Sequence, residues 1–303
     1  MRRKSPLVRL RESWQLYLCI LPAMTYLFIF HYLPIYGLQI AFRDYMPGLG
    51  ITSSPWVGLT YFERFFQSFQ LPVLLRNTIL INIYTLLIAF PIPIVFALLL
   101  NEVKNLPYKK IVQNITYIPH FISTVVLVSM IILFTSPTIG AINKMIGFFG
   151  QTPIDFMGQS QWFRTLLIGS DIWQSMGWNS IIYIAALSGI DPQLHEAACM
   201  DGANRLRRIW HINLPGIAPI IIMLLILRCG SLMNVGFEKV YLLQNTLNLD
   251  VSEVISTYVY KTGLLGAKFS YTAAIGLFNT MINFIFLIIV NRVSRAASSI
   301  SLF

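Results

Sequence analysis

Six long apolar stretches, at about residues 15–40, 73–100, 113–135, 162–187, 215–235 and 271–291, constrain this chain more than any other feature of it. Each has the roughly 20 residues that a helix needs to cross about 30 Å of hydrocarbon. In lipid no water satisfies the backbone, so an uninterrupted apolar run must close its hydrogen bonds within itself, as a helix does. The charge content agrees. Only 11% of the 303 residues are charged and 56% are hydrophobic, against about 25% charged in soluble domains. The expected fold class is all-α: a polytopic membrane protein with six transmembrane helices.

The net charge of +10 could suggest nucleic acid, but no polar stretch interleaves basic residues with stacking aromatics. Lys and Arg gather instead at the ends of the apolar runs. With the N-terminus inside, the cytoplasmic connections hold Arg2, Arg3, Lys4, Arg9, Arg11, Lys104, Lys109, Lys110, Arg205, Arg207, Arg208, Arg292 and Arg295. The outer loops hold the smaller set Arg43, Arg64, Lys144, Arg164, Lys239, Lys261 and Lys268. This bias puts both termini in the cytoplasm. The first apolar run continues from Trp14 to about Phe42 with no small-x-small cleavage site, which is too long for a signal peptide. The expected organisation is a cytoplasmic segment 1–14, a transmembrane domain 15–291 and a cytoplasmic tail 292–303.

Cys19, Cys199 and Cys229 are far apart and have no metal-ligand spacing, so neither a disulfide framework nor a metal site is expected. His31, His120, His195 and His211 show no ligand spacing either. Pro22, Pro34, Pro91, Pro93 and Pro119 fall inside spans, where each is expected to kink its helix. The first outer loop is rich in aromatics from Trp56 to Phe69, which predicts an interfacial helix near Tyr61–Phe69. Leu7 to Trp14 reads similarly.

The loop from Asp191 to Pro215 is expected in the cytoplasm. Asp191 suits an N-cap and Pro192 a first helical position, predicting a helix to about Met200. Asp201-Gly202 is a turn signal. A second piece, Ala203 to about Ile212, should follow with Leu206, Ile209 and Trp210 on one side, and Pro215 should then open the fifth span. Ala197, Ala198 and Ala203 are small enough to let another backbone come close. Physically this is a helix-turn-helix able to dock.

The run Glu196-Ala197-Ala198-Cys199-Met200-Asp201-Gly202-Ala203, followed by Ile212-Asn213-Leu214-Pro215, resembles the EAA motif of binding-protein-dependent ABC importer permeases. Ile209 stands where the sugar-importer branch commonly has Phe. Trp56-Val57-Gly58-Leu59-Thr60-Tyr61-Phe62 with Asn77-Thr78, Gly140-Ala141-Ile142-Asn143, and Ala185 to Pro192 also resemble family segments. The resemblance implies a subunit of a bacterial cell-membrane importer, most similar to the carbohydrate and oligosaccharide branch. Its implied partners are a second permease subunit, two nucleotide-binding ATPase subunits and an extracellular solute-binding protein. It also implies that Glu196, Ala197, Ala198, Asp201, Gly202, Ala203, Ile209, Leu214 and Pro215 couple the chain to the ATPase. No G-x-x-x-x-G-K-[ST] phosphate loop occurs, and Gly263-Leu264-Leu265-Gly266-Ala267-Lys268 lacks its spacing. The chain is therefore expected to bind no cofactor, with ATP and Mg²⁺ on the partner ATPases.

Charges inside spans are costly, so they mark candidate pathway residues. Asp171 in the fourth span and Arg228 in the fifth should lie at similar depth, as a pair or around one polar cavity. Trp173, Gln174, Trp178 and Asn179 flank Asp171. Asn234, the stripe Asn279 and Asn283, and Asn77 and Asn82 complete a lining that suits a sugar, with aromatic faces for C–H surfaces and amides for hydroxyls. The competing classes are an ion-coupled secondary transporter, an importer for a non-sugar solute and a membrane-embedded enzyme. The enzyme needs a catalytic constellation such as H-E-x-x-H or G-x-S-x-G, and neither occurs.

Overall fold

The computed structural model describes residues 14–298. The helices needed below are α1 (Trp14–Phe42), α2 (Leu71–Asn101), α3 (Leu106–Phe121), α4 (Thr124–Thr135), α5 (Phe163–Leu187), α6 (Pro192–Met200), α7 (Arg205–Cys229), α8 (Phe237–Leu243) and α9 (Phe269–Ser298). Among the described residues there is no strand, only an isolated bridge between Arg43 and Trp56. The segment expected at 1–14, with its helix at Leu7–Trp14, lies outside the described residues up to residue 13, as does the tail from residue 299.

Helices α1, α2, α7 and α9 are long and apolar enough to cross a membrane, and the bent pair α3–α4 raises the number to five. The fourth apolar stretch forms the 25-residue helix α5, which carries Arg164, Asp171, Gln174 and Asn179. The stretch expected as one span at 113–135 is two helices meeting at 99°. Pro119 lies in the tight turn Ile118–Phe121, and Ser123 then caps α4 by accepting from the Val126 amide. The break frees the Ile122 carbonyl, and Gln174 of α5 donates to it at 2.9 Å. A polar side chain from a neighbouring helix is how a broken span is satisfied in lipid. Gly177, one turn further along α5, lets the Thr116 backbone approach so closely that a Cβ there would lie 2.3 Å from its carbonyl oxygen.

The fifth span also differs from expectation. It runs unbroken from Arg205 to Cys229, so Pro215 does not open it, and it stops short of the expected end at 235. The reason recurs elsewhere in the chain. Five-residue π-turns at Phe28–Tyr32, Thr85–Ala89 and Ile209–Asn213 each end two residues before a proline, namely Pro34, Pro91 and Pro215. In each, the residue just before the proline donates its amide five residues back: Leu33 to Phe28, Phe90 to Thr85 and Leu214 to Ile209. A proline has no N–H, and its ring crowds the carbonyl four residues earlier. One extra residue in the preceding turn relieves that clash, so the helix continues.

By internal contacts the chain forms two compact units. One comprises the residues up to Phe66 with Thr262–Leu277. In it the expected aromatic-loop helix is Thr60–Phe66. Phe42 stacks on Trp56, with ring centroids 5.7 Å apart, and the Arg43 guanidinium covers the same indole at 5.4 Å. The Tyr61 hydroxyl donates to Asp44 at 2.6 Å. Burial, then the bond to Asp44 and its charge, push that hydroxyl up to about 12.

The other unit comprises Gln67–Lys261 and Phe278 onward. One core cluster joins Ile81, Val128, Phe163, Leu167, Val240, Leu243 and Val254; a second joins Ile94, Ala97, Leu98, Tyr183, Leu187 and Ile217. Asn77, fully buried, donates to the carbonyls of Asp250 and Glu253 and accepts from Arg164, tying α2 to a distant loop and to α5. Asn82 donates to the Thr78 carbonyl within its own helix.

Candidate functional site

Two places in the larger unit carry chemistry. The first is the turn around Gly202. Asp191 accepts from the Gln193 amide at 2.9 Å, and Pro192 begins α6. At the other end Gly202 has φ +73°, a left-handed conformation that costs a residue with a Cβ about 1–2 kcal/mol. The Ala203 amide donates to Ala198 and the Gly202 amide to Cys199, the paired closure of a Schellman motif. Asn204 then caps α7 by accepting from Arg207.

On this turn Glu196, Ala197 and Asp201 are exposed, and so are the apolar side chains of Leu194, Met200, Leu206 and Trp210. Ile209 and Leu214 face the other way, packing on the core cluster of Ile94 and Ile217. Leu206, Ile209 and Trp210 therefore do not share one side: Leu206 and Trp210 stay exposed, and Ile209, about 100° from Trp210 around the helix, turns inward.

The second place is a cavity of about 820 Å³ lined by Thr85, Phe90 and Pro93 of α2, Asp171, Trp178, Asn179 and Tyr183 of α5, and Leu224, Leu227 and Arg228 of α7. A smaller one of about 380 Å³ shares Thr85, Asp171 and Arg228 with it and adds Gln174, Asn234, Glu238 and Lys239. Asp171 and Arg228 thus line the same space, but they do not pair. Asp171 pairs with Lys239 of α8 at 3.2 Å, and Lys239 also donates to Gln174 at 2.9 Å. Among the described residues Arg228 forms no ion pair. Charge counting assigns Lys239 to an outer loop; the return of the chain into the unit as α8 leaves no periodic signal by which to find it.

The other candidates divide. Trp178 lines the larger cavity with one face stacked on His120, centroids 4.4 Å apart and planes 4° from parallel. Trp173 lies instead on a separate apolar groove of about 450 Å³ between α4 and α5. Asn234, Asn279 and Asn283 form one cluster, in which Asn279 and Asn283 both donate to the Asn234 side-chain oxygen. Asn283 also accepts from the Met233 amide at 2.8 Å. These amides hold the turn after α7 onto α9, and Asn234 also lines the smaller cavity.

Apolar spanning helices around a cavity with polar and charged walls, together with an exposed helix-turn-helix, define an integral-membrane transport subunit. The chain belongs to the family of binding-protein-dependent transport system inner membrane components, whose family model matches residues 89–298. It is a permease subunit of an ABC importer. It is 47% identical to the polygalacturonan/rhamnogalacturonan transport system permease protein YteP of Bacillus subtilis (strain 168), over 97% of this chain and 92% of that one. It is 44% identical to protein LplB of the same organism, with the same coverage. Among solved structures, a chain of a bacterial ABC transporter involved in the import of the acidic polysaccharide alginate superposes with a TM-score of 0.90 at 38% identity, over 96% of this chain and 99% of that one. A chain of the alginate ABC transporter in complex with an alginate pentasaccharide-bound periplasmic protein gives 0.91 at 37% identity, over 99% of this chain and all of that one.

Proposed function

We propose that this chain forms half of the translocation pathway for oligosaccharides that carry carboxylate groups. In this reading it has six spans, α5 and the bent pair α3–α4 included, with both termini in the cytoplasm. A second permease subunit supplies the other half, two ATPase subunits bind ATP and Mg²⁺, and an external solute-binding protein delivers the sugar. The turn from Glu196 to Ala203 docks on an ATPase subunit: Glu196 and Asp201 offer charge, Ala197 and Ala198 allow close approach, and Gly202 sets the reversal.

The observation that carries the substrate class is Arg228, a cation on the wall of the cavity that Trp178 and Asp171 also line, where Asp171 is already neutralised by Lys239. A guanidinium presents a planar fork that matches a carboxylate, and the indole offers an apolar face to a pyranose ring. The uronate-containing polysaccharides in the names of the relatives fit the same chemistry.

The test is the purified complex with its binding protein, screened for ATP hydrolysis stimulated by acidic and neutral oligosaccharides. Stimulation by acidic sugars, lost in Glu196→Lys and Gly202→Asp complexes that still assemble, is the expected result. Normal stimulation in both variants overturns the docking assignment, and equal stimulation by neutral sugars overturns the substrate class.

A further inference from the structure

The cavity walls come from α2, α5 and α7; α5 and α7 both run directly into the arm that holds Gly202, but α2 does not. Something must carry movement of that turn to α2. Glu102, the C-cap of α2, makes a polar connection. One of its carboxylate oxygens lies 3.5 Å from Nη2 of Arg208, and the other accepts from Nδ2 of Asn213 at 3.5 Å. Arg208 is the residue just before the π-turn Ile209–Asn213, and Asn213 is its last residue. Arg208 in turn donates to Sγ of Cys199 in α6.

Both partners are held where an ion pair survives screening. The side chains of Arg208 and Glu102 are 18% and 17% exposed, and Asn213 is fully buried. Among the described residues the Asn213 side-chain oxygen has no hydrogen-bond partner of its own, so the orientation of the amide is set by its donation to Glu102. Gly216 lies just past the π-turn, and a Cβ there would meet the Ile190 side chain at 2.7 Å. The start of the spanning part of α7 is thereby wedged against Ile190, which precedes the N-cap of α6.

We infer that Glu102 is a positioning residue for energy coupling: its carboxylate clasps the two ends of the π-turn, so that α2 moves with the α6–α7 arm when the arm is displaced. The inference rests on the proposed docking of that arm on an ATPase subunit. Without the clasp, the arm is joined to α2 only by the apolar packing of Ile209 and Leu214 on the cluster of Ile94, and the α2 wall of the cavity, with Thr85, Phe90 and Pro93, lags behind.

The experiment uses the assembled complex reconstituted with its binding protein and oligosaccharide, reading subunit assembly, basal ATP hydrolysis and binding-protein-stimulated hydrolysis. Glu102→Ala is expected to assemble and keep basal hydrolysis but to lose stimulation by about fivefold or more, the lower end of an allosteric coupling. The exchanged pair Glu102→Arg with Arg208→Glu is expected to recover most of it, which a merely structural role would not. If Glu102→Ala fails to assemble, Glu102→Gln takes its place with the same expectation, since an amide offers one acceptor where two donors converge. Stimulation unchanged in the single variant, or no recovery in the exchanged pair, overturns the inference. A wild-type complex that shows no stimulation at all would instead overturn the docking itself.

Discussion

Arg228 and Lys239 have opposite assignments although both are cations lining one cavity with Asp171. Lys239 is committed to Asp171 and Gln174; Arg228 has no anionic partner among the described residues. Arg228→Leu should therefore raise the oligosaccharide concentration for half-maximal transport by about tenfold, the discrimination of one good charged contact near 1.4 kcal/mol. Vesicle uptake of a labelled acidic sugar measures it, and a change under twofold would exclude Arg228 from recognition. Lys239→Met should instead lower the yield of assembled complex, because it leaves Asp171 without its cation. Gly177→Ala should cost about 1–3 kcal/mol through overpacking against the Thr116 carbonyl, read as an earlier thermal transition in detergent. The Tyr61 hydroxyl, raised to about 12, stabilises the neutral form in the fold. Its contribution is complete below pH 10 and is lost as pH rises toward 12. Tyr61→Phe should remove that loss, seen as a flatter stability profile over this range.

At the scale of elements, much of the organisation is legible in the residues. The caps Asp191 and Pro192 and the turn Asp201-Gly202 place α6 within a residue of its observed ends, because each acts through local backbone geometry. The effect of the prolines is not legible in the same way. Spacing alone has Pro215 begin a helix and Pro119 kink one; in the fold the first is passed by a π-turn and the second precedes a 99° break. The difference lies in the residues downstream of each. Ser123, four residues past Pro119, has a hydroxyl to cap a new helix, whereas the residues after Pro215 only extend an apolar run. The cavity is legible as a pair of intramembrane charges, but Lys239 and Glu102 are not, since both act through partners far away in sequence. Pro215→Ala tests the π-turn directly. With the N–H restored, the turn can revert to α and shift the arm by one residue, about 100° of rotation and 1.5 Å of rise. Such a complex should assemble yet lose most binding-protein-stimulated ATP hydrolysis; full retention would show that the π-turn is not needed for coupling.

For the molecule as a whole, α1 exposes nearly all of its apolar side chains, with only Ala41 buried along its length. Lipid or another subunit must cover such a surface. Native mass spectrometry of the co-expressed complex should give one copy of this chain with one second permease and two ATPase subunits; a stable assembly of this chain alone would contradict the proposed architecture. The prolines have one more consequence. Each π-turn inserts a residue into the helical count, so the lipid-facing stripe after Ala89 is no longer in step with the stripe before Thr85. A cysteine-labelling scan along Leu71–Asn101 should therefore return two waves of reactivity of equal period, offset by about 100°, and the residue where one wave gives way to the other marks the slip.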